Sequence, residues 1–130
     1  MRSARILLAE DNPDLRELLV TALESDGHRV HQVTRGDDLL HHLIVLRDRN
    51  GLPDLVISDV DMPGMLGLEA LELAGIDGES LPLVLMTGSD ISKITARAAR
   101  LCVQCILRKP LDLDAFRGAV LALLGWRQPV

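Results

Sequence analysis

Four short apolar runs in this chain each end in a reactive group. Ile6-Leu7-Leu8-Ala9 leads into Glu10 and Asp11, and Leu55-Val56-Ile57-Ser58 leads into Asp59. Leu83-Val84-Leu85-Met86 leads into Thr87, and Cys105-Ile106-Leu107-Arg108 leads into Lys109 and Pro110. Continuous apolar runs this short read as parallel strands buried under helices on both faces. In an open parallel sheet, chemistry collects beyond the carboxyl ends of the strands. Three acids, a hydroxyl and an ammonium, far apart in sequence, are therefore expected to meet at one edge of the molecule.

The rest of the chain fits that frame. Strands are predicted near residues 5–9, 28–33, 53–58, 82–87 and 103–108, alternating with five helices. The second run, His28-Arg29-Val30-His31-Gln32-Val33, is the most polar and suits a sheet edge. Asn12 and Pro13 suit the cap and first position of a helix whose apolar face is Leu15, Leu18, Leu19, Ala22 and Leu23. The second helix carries Leu39, Leu40, Leu43, Ile44 and Leu46. The third carries Leu68, Leu71 and Leu73 and stops near Gly75. The fourth, about 91 to 100, is weakly apolar and expected to be the most exposed. The fifth carries Leu113, Phe116, Val120, Leu123 and Leu124 before Gly125. Alternation of this kind implies right-handed crossovers and a doubly wound α/β fold. With the polar strand at an edge, the favoured order of the five-stranded parallel sheet is 2-1-3-4-5. One domain is expected over 1–125, with 126–130 as a C-terminal tail.

Composition narrows the function. Apolar residues make up 48% of 130, enough for a core without disulfide or metal support. One Phe, one Trp and no Tyr leave no platform for stacking nucleic-acid bases. A formal charge of −5 argues against a nucleic-acid surface. No apolar stretch approaches the length of a membrane span, and the N-terminus lacks the pattern of a signal peptide. A soluble cytoplasmic protein is the expectation.

Three carboxylates in one crevice repel each other and stay ionised only beside a cation. An all-oxygen donor set favours a hard ion, and Mg²⁺ suits a site that a phosphate is to share. Lys109 adds a fixed positive charge on the opposite side, and Thr87 a hydroxyl donor. Such a set suits an incoming phosphoryl group, with one carboxylate attacking phosphorus. Asp59 is the favoured nucleophile. It ends a central strand and precedes the turn segment Val60-Asp61-Met62-Pro63-Gly64.

These motifs together resemble the receiver domain of bacterial two-component response regulators, over nearly the whole chain. Glu10-Asp11 resembles the family's acidic metal-binding pair. Asp59, followed by Met62-Pro63 and Gly67, resembles its phosphorylated aspartate. Thr87-Gly88 resembles its hydroxyl-plus-small pair, and Lys109-Pro110 its lysine and cis-proline. The resemblance implies a flavodoxin-like (βα)5 fold. It also implies a signalling domain that catalyses only its own phosphorylation and dephosphorylation. A histidine kinase or histidine phosphotransfer protein would supply the phosphoryl group. Asp11, Asp59 and the backbone carbonyl of Asp61 would ligate Mg²⁺, with Glu10 acting directly or through water. Thr87 and Lys109 would bind phosphoryl oxygens. Asp61 and Ser89 stand where side chains tune water access. The signal would pass by protein contact to a downstream partner, with self-association through the fourth helix, fifth strand and fifth helix. Direct DNA binding and membrane attachment are not expected.

One departure bears on switching. The family's aromatic residue three positions before the lysine is Ile106 here. Isoleucine is stiff at χ1 and has no polar tip. The expected change on phosphorylation is therefore small, or runs through the loop from Gly88 to Ser92.

Two other functions compete. Asp59-Val60-Asp61 also fits the D-x-D nucleophile of haloacid dehalogenase-type phosphatases, although that motif normally closes the first strand. A phosphorylation-independent docking module on the same scaffold is the second. Cys102-Val103-Gln104-Cys105 is a C-x-x-C, but it enters a strand rather than capping a helix, so buried thiols are expected. His28, His31, His41 and His42 are expected on the surface. Arg97, Arg100 and Arg108 are candidates for a basic strip beside the fourth helix.

Overall fold

The computed structural model describes residues 3–127. Five strands alternate with five helices: β1 (Arg5–Ala9), α1 (Pro13–Ser25), β2 (Arg29–Val33), α2 (Gly36–Asp48), β3 (Leu55–Asp59), α3 (Gly67–Ala74), β4 (Leu83–Thr87), α4 (Thr95–Arg100), β5 (Cys105–Arg108) and α5 (Leu113–Arg127). All pairings are parallel, in the order β2-β1-β3-β4-β5. β1 and β3 are neighbours at the point where the winding reverses, as the polar second run implied.

Side-chain alternation divides the sheet between two cores. Leu7, Val56 and Leu85 face α2, α3 and α4, packing with Leu39, Leu43, Leu71 and Ala98. Ile6, Leu8, Ile57 and Val84 face α1 and α5, packing with Leu19, Leu23, Phe116 and Val120. β3 and β4 are buried throughout, whereas β2 and β5 are partly open, as edge strands must be. In α1 the Asn12 side chain accepts the Leu15 N–H at 3.0 Å, with Pro13 at the first helical position. Gly75 closes α3 in the left-handed region at φ 71°, where a side chain would be strained.

Several expectations change. Leu18 and Leu73 are 50% and 59% exposed, because they sit at the flanks of their helical faces rather than on the stripe that meets the sheet. The fourth helix opens with a 3₁₀ turn, Ile91–Lys93, capped by the Asp90 carboxylate, and becomes α-helical only at Thr95. It is not simply exposed: Ile94, Ala98 and Leu101 are buried. α5 continues through Gly125 to Arg127. Glycine costs a helix interior only about 1 kcal/mol, and Leu124 is still packed in the core. Residues 128–130 of the expected tail lie outside the described residues. His28 is buried, and its Nδ1 accepts the Ala4 N–H at 3.2 Å. That bond joins the turn before β2 to the start of β1. Arg97 turns to α3, where it pairs with Glu72, so it does not join Arg100 and Arg108 in a strip.

Candidate functional site

The carboxyl ends of β1, β3, β4 and β5 lie side by side. Ala9 pairs with Ser58, Asp59 with Met86, and Thr87 with Arg108. The residues just beyond them therefore converge. Carboxylate oxygens of Glu10, Asp11 and Asp59 all lie within 4.8 Å of one another. Glu10 is fully buried, Asp59 is 4% exposed, and Asp11 faces solvent.

Contrary to the placement expected from the sequence, Lys109 does not stand on the side opposite the acids. Its ammonium sits between two of the acids, donating to Glu10 Oε1 at 2.7 Å and Asp59 Oδ2 at 2.8 Å. The remaining oxygens are also held. Glu10 Oε2 accepts the Asn12 N–H at 3.0 Å, and Asp59 Oδ1 accepts the Asp61 N–H at 3.2 Å. Burial pushes the Glu10 carboxyl up, and the Asp59 charge adds to this; hydrogen bonds from Lys109 and Asn12 pull the other way without cancelling it. Burial alone would lower Lys109, but its hydrogen bonds to Asp59 and Glu10 outweigh that and hold the ammonium charged.

Backbone geometry presents these groups. The Lys109 N–H donates to the Thr87 carbonyl at 2.8 Å, tying the end of β5 to the end of β4. The Lys109–Pro110 peptide is cis. Gly67 allows the chain after β3 to fold back on itself. Its N–H donates to the Val60 carbonyl at 3.0 Å, and a β-carbon there would stand 2.3 Å from the Asp59 carbonyl oxygen. Gly64 takes φ 85° in the same loop.

Thr87 is fully buried at the end of β4, and its Oγ1 accepts the Ser89 N–H at 3.0 Å, which leaves the hydroxyl proton free to donate elsewhere. Ser89 Oγ in turn donates to Asp61 Oδ2 at 3.1 Å. Ile106 is half-buried against the α2–α4 core. Sequence reasoning missed Arg16, whose guanidinium donates to the Glu10 carbonyl at 3.0 Å and props the acidic loop from α1. Its position one turn into a helix that starts beside the acids was the available signal. Cys102 and Cys105 are free thiols, but Cys102 is exposed and Cys105 only half-buried, so the expected burial of both is not found. Desolvation raises both, and Glu79 and Asp77 raise Cys102 further, the reverse of an activated redox pair.

The donor set is oxygen-only, with three carboxylates against one ammonium, which fits a hard divalent cation. The family model for the response regulator receiver domain matches residues 6–121. The chain belongs to the response regulator receiver domain family. A curated relative, sporulation initiation phosphotransferase F of Bacillus subtilis, is 30% identical over 92% of this chain and 93% of its own length. The chain spans about half the length of curated transcriptional regulators that it also matches. Among solved structures, the signal receiver domain of a histidine kinase from Syntrophus aciditrophicus superposes with a TM-score of 0.80 at 27% identity, covering 98% of this chain and 95% of that one. The receiver domain of a sensor histidine kinase from Pseudomonas aeruginosa, with magnesium coordinated in its cleft, gives a TM-score of 0.78 at 22% identity, covering 95% and 99%. This receiver domain is a signalling module of two-component systems, and the phosphatase reading falls with that membership. No described helix is long and apolar enough to cross a membrane.

Proposed function

We propose that Asp59 is the phosphoryl acceptor of this receiver domain. The observation that carries this reading is the placement of its carboxylate, almost fully buried, 2.8 Å from the Lys109 ammonium and within 4.8 Å of Glu10 and Asp11 oxygens. A carboxylate in that position is fixed in orientation and flanked by positive charge. It attacks phosphorus of a phosphohistidine on a histidine kinase or phosphotransfer protein. The new bond joins an Asp59 oxygen to phosphorus; the nitrogen–phosphorus bond breaks, and the leaving imidazole keeps the electron pair.

Glu10, Asp11, Asp59 and the Asp61 carbonyl would hold Mg²⁺, which when bound neutralises phosphoryl oxygens. Lys109 shifts from bridging two carboxylates to binding a phosphoryl oxygen, and Thr87 donates its hydroxyl to another. Both contacts place fixed positive charge or donors where negative charge develops. Asp61 and Ser89 shield the acyl phosphate from water. The module works in the cytoplasm and passes its state to a downstream protein, with self-association through α4, β5 and α5.

The test is intact-mass measurement after incubation with acetyl phosphate and Mg²⁺. One phosphoryl group is expected on the wild type, and none on Asp59→Asn or after chelation. Labelling of Asp59→Asn at the wild-type level would overturn the assignment.

A further inference from the structure

A second concave site lies at the opposite end of β1 and β2. It is a cavity of about 270 Å³ between these strands and the last turns of α2, and it is floored by Leu7, Leu46 and Pro53. Its walls are cationic in a protein whose formal charge is −5. Arg5 and Arg29 are direct partners across the β1–β2 ladder, so two guanidinium groups start side by side on the face toward α2. Like charges placed this way destabilise a sheet unless something offsets them. The Arg5 guanidinium donates to the Gly51 carbonyl at 2.7 Å, and the Asp54 carboxylate is taken by the Arg5 main-chain N–H at 2.8 Å. Among the described residues, neither arginine forms an ion pair, and the Arg29 side chain makes no hydrogen bond.

Two imidazoles complete the wall. His31 follows Arg29 on the same strand face, and its ring lies 4.5 Å from that of His42, tilted by 46°. His42 Nδ1 lies 2.9 Å from the Asp38 carbonyl, which fixes the proton on that nitrogen. Arginines beside the rings oppose a metal cation and favour an anion. The apolar floor and the ring pair suit a flat hydrocarbon body.

We propose that this cavity is a second ligand site, taking a small molecule that joins a phosphate-like or carboxylate anion to a flat apolar body. The anion sits between Arg5 and Arg29, and the body lies on Leu7, Leu46 and the paired rings.

The probe is phenylphosphonate, which cannot transfer its phosphorus group, titrated without Mg²⁺ into nitrogen-15-labelled protein. Amides of Leu7, Val30, His31 and Leu46 are expected to shift saturably across the millimolar range or below, while those of Asp59 and Lys109 stay still. Arg29→Gln, a change at an exposed side chain, should weaken binding about tenfold, as loss of one charge-assisted contact does. His31→Asn should weaken it less, and both variants should still accept phosphoryl groups from acetyl phosphate. Benzyl alcohol, the body without the charge, should not saturate the site. The proposal is overturned by absent shifts at the cavity, by unchanged affinity in Arg29→Gln, by equal binding of benzyl alcohol, or by a response of the histidines to zinc alone.

Discussion

The hydroxyl of Ser89 donates to Oδ2 of Asp61 across 3.1 Å, joining the loop after β4 to the loop after β3. The bond spans the two loops that flank Asp59. Breaking it in Ser89→Ala frees both loops and opens the approach of water to the acyl phosphate. One hydrogen bond is worth about 0.5–1.5 kcal/mol, so hydrolysis should quicken roughly two- to tenfold. The decay of phosphorylated protein, followed by intact mass, measures this. An unchanged or longer lifetime would count against a shielding role.

Lys109 is the internal counter-ion of two buried acids. Removing one partner of a fully buried pair costs about 3–5 kcal/mol. The Lys109 side chain keeps 21% exposure, so Lys109→Met should lose roughly 1–3 kcal/mol in metal-free buffer. Added Mg²⁺ should recover part of that loss, because a second cation then faces the same oxygens. Urea unfolding with and without Mg²⁺ reads both effects. Equal stability of the two proteins without metal would refute the counter-ion role.

Gly67 stands where a β-carbon would lie 2.3 Å from the Asp59 carbonyl and 2.6 Å from Ser58 Oγ. The nearest obstacle is backbone and cannot rotate away. Gly67→Ala should cost about 1–3 kcal/mol, as overpacking does, and should slow labelling of Asp59 by acetyl phosphate. A variant that folds as stably and labels as fast as wild type would show that the turn has slack.

Acid should expose the tie between α1 and α5. Arg117 donates to both oxygens of Asp26, and this holds the Asp26 carboxyl below the usual aspartate range. A carboxyl depressed on folding stabilises the protein above its unfolded pKa, and that stability is lost as pH falls through the folded value. Asp26→Asn should therefore be less stable than wild type at neutral pH. The two should converge once the pH is well below about 3.9. Denaturant midpoints across that range decide it; a gap that persists in acid would mean the contact acts by packing alone.

Ile106 packs its apolar side chain against the α2–α4 core. It carries no hydroxyl or ring whose position could report on Thr87. Beryllofluoride, a phosphoryl mimic, should shift amides of the Gly88–Ser92 loop strongly and those of α4 and β5 weakly. Large shifts throughout α4 and β5 would show that the signal passes this position without an aromatic ring.

Much of this was legible in one dimension. A strand's identity and its end are local properties, carried by runs such as Leu55–Ser58 and the polar residue that follows each. Parallel strands in an open sheet bring those ends together, so the sequence alone groups Glu10, Asp11, Asp59, Thr87 and Lys109. The edge position of β2 was equally readable, because His28–Val33 is too polar for the centre.

The tertiary structure alone decided what each group touches. Lys109 meets Glu10 across 99 positions of sequence and Asp59 across 50, and no local pattern says that one ammonium serves both. Leu18 and Leu73 satisfy the helical period yet face water, since burial depends on how wide a stripe the sheet covers. His28 is polar yet buried, because a single backbone N–H at Ala4 answers it. Periodicity along the chain encodes which way a side chain starts out; the partner it finds is set by packing between segments distant in sequence.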